Sequence, residues 1–142
     1  MTPQQIELVR HSWLQVFPLR ETAAQMFYEK LFELEPALRP LFKADLSQQA
    51  GKLFETLNAL VATLGEADAM TSVAAPLQRS HAGFGATPAH YEAVGEALMW
   101  TLGASVGKAF TAPVRAAWVE AYAGLSHAMQ AMQAMQAMQA GR

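Results

Sequence analysis

Apolar positions recur along this chain at intervals of three and four residues, the spacing of one face of an α-helix. Thr2-Pro3-Gln4-Gln5 carries a helix-start signal, with Thr2 as N-cap and Gln5 placed to reach back to it. Ile6, Val9, Trp13 and Phe17 follow at helical spacing, and Pro18 ends that helix. Ala24, Phe27, Tyr28 and Leu31 line one face of a second helix, which turns the Tyr28 phenol inward. Pro36 and Pro40 bracket one tight helical turn that leads to an apolar corner at Leu41-Phe42. The strongest stripe is Leu53, Leu57, Leu60, Val61 and Leu64. One turn before it the same face carries the amide of Gln49, with Lys52 rotated toward the edge.

Residues 66–73 are polar and small, and read as loop or a frayed turn. A short helix opening at Pro76 carries His81 and stops at Gly83 and Gly85. Thr87-Pro88 repeats the start signal before Tyr91, Val94, Leu98, Leu102 and Val106, and Thr111 with Pro113 opens a last helix faced by Val114, Trp118, Ala121, Tyr122 and Leu125. No stretch alternates with period two, so the fold class is all-α, with six substantial helices and up to two short ones. From residue 129 the triplet Met-Gln-Ala repeats. Three residues advance about 300° around a helix, so successive Met side chains drift by about 60° and cannot all face one core. Residues 1–128 are accordingly expected to form one domain, and 129–142 a low-complexity extension of its last helix.

Composition narrows the chemistry. At 142 residues the chain suits a single domain. Its net charge of −2, without a cluster of Lys and Arg, leaves no electrostatic footprint for nucleic acid. The absence of cysteine excludes disulfides, iron–sulfur clusters, thiol nucleophiles and covalent c-type haem attachment. The start lacks the basic and apolar regions of a signal peptide, and the long uncharged run near the C-terminus holds His127 and regular Gln, a poor membrane span. A cytoplasmic protein without membrane insertion is the expectation.

Several motifs fail on inspection. Gly103-Ala104-Ser105-Val106-Gly107-Lys108 is one residue short of a phosphate loop and lies within a helical pattern. Gly83-Phe84-Gly85 lacks the third glycine and flanking strands of a dinucleotide site, and no metalloprotease or serine-elbow motif occurs. His11, His90 and His127 read as ordinary surface or packing histidines. What remains is Tyr28 and Gln49 on inward faces, Phe42 at a proline-set corner, and His81 alone on a short helix. An imidazole on such a support can serve as an axial ligand to iron, and it can equally be a satisfied core group. The pattern by itself leaves both open.

Three segments add a resemblance. Residues 27–42, reading Phe27-Tyr28…Leu31-Phe32…Pro36…Leu41-Phe42, are similar to the FY-x-x-LF-x-x-x-P-x-x-x-x-LF segment of bacterial single-domain globins and the globin half of flavohaemoglobins. His81-Ala82-Gly83-Phe84-Gly85 with His90-Tyr91…Val94-Gly95 resembles their H-x-x-x-G…HY-x-x-VG, and Ala117-Trp118…Ala121-Tyr122 their AW-x-x-AY. The resemblance to this flavohaemoglobin and neuroglobin-like family runs from residue 2 to about residue 128. It implies a globin fold of six to eight helices around a pocket for haem b. His81 would then be the iron ligand and Phe42 the ring against the porphyrin. Tyr28 and Gln49 would face a bound gas, with Leu53 as an apolar wall, and Lys52 and Arg79 would reach the propionates. Tyr91 and Val94 would border the His81 side.

Reversible binding of O2, CO or NO is the implied function. The alternative is a nitric oxide dioxygenase dependent on a separate reductase, and a haem-free helical adaptor or sensor half is a third class. Monomer and weak dimer both stay open. One departure bears on the chemistry: the family pairs its iron-ligating histidine with a Tyr and a Glu, and the place for that Glu falls near Gln133 in the repeat. A neutral partner weakens electron donation to the iron and suits reversible binding better than O–O cleavage.

Overall fold

In the computed structural model the described residues are 1–41, 46–66, 72–75 and 87–140, with the side chains of 41, 46–49, 136, 139 and 140 outside the description. They contain no strand. Five helices account for most of them: α1 (Pro3–Val16), α2 (Arg20–Leu34), α3 (Leu46–Thr63), α4 (Pro88–Val106) and α5 (Ala112–Ala140), with 3₁₀ segments at Phe17–Leu19, Pro36–Leu41 and Gly107–Ala109. The short helix expected around His81 lies outside the described residues, as does the corner at Phe42.

The helix starts follow their local chemistry. Thr2 Oγ1 accepts from the Gln5 N–H at 3.1 Å while Gln5 Oε1 accepts from the Thr2 N–H at 3.0 Å, which satisfies two donors that the first turn would leave unpaired. Thr87 opens α4 the same way, except that the reciprocal acceptor is the imidazole Nδ1 of His90, 3.1 Å from the Thr87 N–H. His90 is therefore a capping residue, a role that its sequence position beside Tyr91 did not suggest. At the other end of α3, Gly65 takes φ +86°, and a Cβ there would sit 2.8 Å from Ile6 Cδ1, so only glycine lets the chain turn against α1. Arg10 then reaches across from α1, donating from Nε to the Val61 carbonyl at 3.2 Å and from Nη2 to those of Ala62 and Leu64. A helix C-terminus with open carbonyls is thereby capped by a cation from another helix.

The core forms where these helices cross: α4 packs against α2, α1 and α5, and α1 against α5 and α3. The expected inward faces of α2 and α5 are buried, including Phe27, Tyr28, Leu31, Val114, Trp118 and Leu125. One expectation on α1 fails. Phe17 continues the stripe, its N–H donating to the Trp13 carbonyl and its ring edge-on to Trp13 at 6.1 Å, but it lies at the end of the helix and is exposed, with Arg20 stacked over it at 4.7 Å, while Val16 is buried. Val73, expected in a loop or a frayed turn, belongs with Ala74 to a helical turn at 72–75 in which both are buried. Two indoles organise the centre. Trp13 stacks on Phe54 at 5.5 Å and donates its N–H to Asn58 Oδ1 at 3.0 Å; Trp118, fully buried, donates to Ser12 Oγ at 2.8 Å. Buried indole N–H groups need such partners. No helix among the described residues is long and apolar enough to cross a membrane.

Candidate functional site

Tyr28 is the best-defined member of the candidate set. It lies on α2 between Phe27, edge-on at 5.1 Å, and Phe32, stacked at 6.1 Å, and only 6 % of its surface is exposed. Its side lines a cleft of about 780 Å³ between α2 and α3, bounded also by Phe32, Arg39, Ala50, Gly51 and Phe54. That volume falls in the range of small-molecule and cofactor pockets. Burial pushes the Tyr28 phenol up to about 12, so at neutral pH it carries its proton and can donate it in a hydrogen bond.

Most of the cleft lining comes from α2, and α3 contributes Ala50, Gly51 and Phe54. Gln49 is part of that helix, next to Ala50 on the wall, although its side chain lies outside the description. Leu53 is half-buried against the core and Lys52 is exposed on the same turn. Arg39, which the spacing of residues did not single out, stacks over Phe32 at 5.1 Å and brings a fixed cation to the cleft. A clue lay in its position between two prolines, which hold that turn rigid. Phe42, Arg79 and His81 lie outside the described residues.

A second cluster joins α4 to α5. Tyr91 is buried and Val94 half-buried on α4. The Tyr122 hydroxyl donates to the Tyr91 carbonyl at 2.7 Å, and its ring lies so close over Gly95 that a Cβ there would be 2.9 Å from Cε2. Burial raises the Tyr122 phenol well above its usual range, with Tyr91 adding to the effect and Ser126 opposing it; burial also raises Tyr91. The Tyr91 hydroxyl in turn donates to Gln133 Oε1 at 3.4 Å. Among the described residues, no group of His, Cys, Asp or Glu could hold a metal ion.

Residues 25–129 match the family model described as Globin. The chain belongs to the globin family. The five helices are thus those of an all-α globin fold. This globin is similar to the flavohemoprotein of Vibrio cholerae serotype O1, 31% identical over 129 residues that make up 86% of this chain and 32% of that protein. It is also similar to the neuroglobin of Chaenocephalus aceratus, 28% identical over 130 residues, 82% of each chain, and to neuroglobin-1 of Oncorhynchus mykiss, 27% identical over 136 residues, 86% of each. The globin spans about a third of the length of the flavohemoprotein and more than four fifths of the two neuroglobins.

The residues on the page suit the family's cofactor. A haem needs a deep, largely apolar cleft, a hydrogen-bond donor on the gas side and a cation for its carboxylates. The cleft beside Tyr28 offers aromatic and small apolar walls in Phe32, Phe54, Ala24, Ala50 and Gly51, a neutral buried phenol, and a polar border of Arg20, Arg39, Glu21, Gln25 and Glu29 in which the two arginines could meet carboxylates.

Proposed function

We propose that this globin holds haem b through the imidazole of His81 and binds O2, CO and NO reversibly on the face that Tyr28 and Gln49 border. When bound, the haem supplies an open iron coordination position for a diatomic gas. Phe42 stacks against the porphyrin, Leu53 and Val94 keep the surroundings apolar, and Lys52 and Arg79 take the propionates. Tyr91 borders the His81 side.

The observation that carries this reading is Tyr28: a phenol buried on the wall of a large cleft and held neutral by that burial. A neutral phenol is a donor with a fixed direction, and the amide of Gln49 supplies a second. Hydrogen bonds to a partner carrying partial negative charge contribute roughly 1.5–3 kcal/mol each, so Tyr28 alone retains O2 about 10- to 100-fold longer. Carbon monoxide carries less charge and gains less. Apolar walls exclude water from the same space, which slows loss of electrons to solvent oxidants.

Absorbance spectra of the purified protein in its ferrous, oxygenated and CO forms test the proposal. A Soret band that disappears in His81→Ala is expected, together with a 10- to 100-fold faster O2 release in Tyr28→Phe and a smaller change for CO. A protein that takes up no haem, or a Tyr28→Phe variant that releases O2 at the original rate, overturns it. Mixing the oxygenated protein with NO, with and without an added reductase, separates a binder from a nitric oxide dioxygenase. A binder turns over once and does not recycle.

A further inference from the structure

The Met-Gln-Ala repeat sets four thioethers along one helix, and the fold treats them in two ways. Val114, Trp118, Ala121 and Leu125 form the buried face of α5, and Met129, 7 % exposed, continues that face one turn on. Met132 packs partly against the same core. Met135 and Met138, by contrast, are 60 % and 66 % exposed, with Ala134 and Ala137 exposed beside them. From 129 to 140 no residue is ionisable, so the reactive atom of this stretch is the methionine sulfur. The chain also lacks cysteine, whose thiol would otherwise take up an oxidant first.

We propose that Met135 and Met138 form a reversible oxidation site for peroxides, and that Met129 and Met132 are the half of the repeat whose oxidation would release the end of α5 from the core. In the reaction a sulfur lone pair attacks one peroxide oxygen and the O–O bond breaks. An S–O bond forms, and the second oxygen takes up a proton and leaves as water, so that the sulfur loses the two electrons that the peroxide gains. A dithiol reductant reverses the step: the sulfoxide oxygen departs as water while two thiols become a disulfide. The sulfur must meet oxidant and water for this to happen, and a buried thioether does so only when the structure around it opens. The product decides the consequence. A sulfoxide oxygen at 135 or 138 is hydrated and leaves the packing as it was. At 129 the same oxygen would stand in the core, where a polar atom without a partner is costly, and the helix end would come away.

This chemistry needs no haem, so its test stands apart from that of the proposed function. The full chain is treated with hydrogen peroxide, and fragment masses of the intact protein locate each added oxygen. Met135 and Met138 are expected to oxidise at least about tenfold faster than Met129, and than Met99, which is 8 % exposed on α4, with Met132 in between. Met1, 45 % exposed, also reacts and is separated by its fragments. Protein oxidised at 135 and 138 is expected to keep the urea midpoint of the untreated chain, and methionine sulfoxide reductases for the two epimers, supplied with a dithiol, are expected to remove both oxygens. A second arm needs no oxidant: Met129→Gln, which puts a polar group of similar length in the core, is expected to lower the urea midpoint, while Met135→Gln leaves it in place. Met129 oxidising as fast as Met135, a midpoint that falls when only 135 and 138 are oxidised, sulfoxides that the reductases leave untouched, or equal effects of the two Gln substitutions would each overturn the proposal.

Discussion

Gly95→Ala sets two opposing effects against each other at one position of α4. Alanine in a helix interior is favoured over glycine by about 0.8–1.0 kcal/mol. The added Cβ, however, would lie 2.9 Å from Tyr122 Cε2 and 3.2 Å from Cδ2. The ring has little freedom to retreat, since its hydroxyl is tied to the Tyr91 carbonyl at 2.7 Å. Forcing an extra carbon into a packed contact costs roughly 1–3 kcal/mol, and weakening that hydrogen bond adds about 1 kcal/mol. Crowding therefore wins, and the net effect is a loss of about 1–3 kcal/mol, or a fall of about 3–12 °C in Tm for a chain of this size. Urea denaturation followed by circular dichroism measures it. The decisive comparison is the same substitution in a Tyr122→Ala background, where the ring is gone and Gly95→Ala should stabilise by about 1 kcal/mol. Stabilisation in the parent protein, or the same change in both backgrounds, would refute the reasoning.

Ser12→Ala strands the buried Trp118 indole N–H, now satisfied at 2.8 Å, and is expected to cost about 1–3 kcal/mol in urea unfolding; a loss below about 0.5 kcal/mol would mean that the indole finds another partner. Arg10→Met removes three contacts to the carbonyls at the end of α3, and about 0.5–2 kcal/mol of stability should go with them, a loss that thermal melts of the two proteins would measure. Stability should fall between pH 10 and about pH 12. In that window the unfolded chain has released the Tyr28 proton and the native protein still holds it, so each rise in pH favours unfolding, by no more than about 1.4 kcal/mol per unit for one group. Tyr122 acts in the same direction, and Tyr28→Phe should flatten the measured slope.

Local chemistry was the legible part of the sequence. The Thr2 and Thr87 starts, the inward face of α2 with Tyr28, and the stripe on α3 could be read because each depends on residues within one or two turns of each other. The Phe17 error has a different root: spacing gives the face a residue occupies but not where the neighbouring helices end, and Phe17 sits beyond the reach of the core at the end of α1. Contacts between distant segments were out of reach. Nothing in the spacing joins Ser12 to Trp118 or Arg10 to the end of α3, since these depend on how helices cross. The resemblance drew attention to Gln133, and only packing brings its amide oxygen to Tyr91. For His90 the missed signal was available: a side chain three residues after Thr87 with a ring nitrogen able to accept.

The candidate site divides into parts that the fold holds hard and one part that it holds loosely. Tyr28 is surrounded by Phe27, Phe32 and the cleft wall, and Tyr91 is tied by its carbonyl to Tyr122, so replacing either disturbs the core as well as the site. Gln133 is half-buried on a stretch of Ala, Met and Gln, and a change from amide to carboxylate there keeps the side-chain length and nearly the same helix propensity. A carboxylate there would add a charge beside the Tyr91 hydroxyl, 3.4 Å away, without changing the size of the side chain. Gln133→Glu is therefore expected to leave the stability measured in urea within about 0.5 kcal/mol of the parent protein, and a larger loss would show that the fold depends on the neutral amide beside Tyr91.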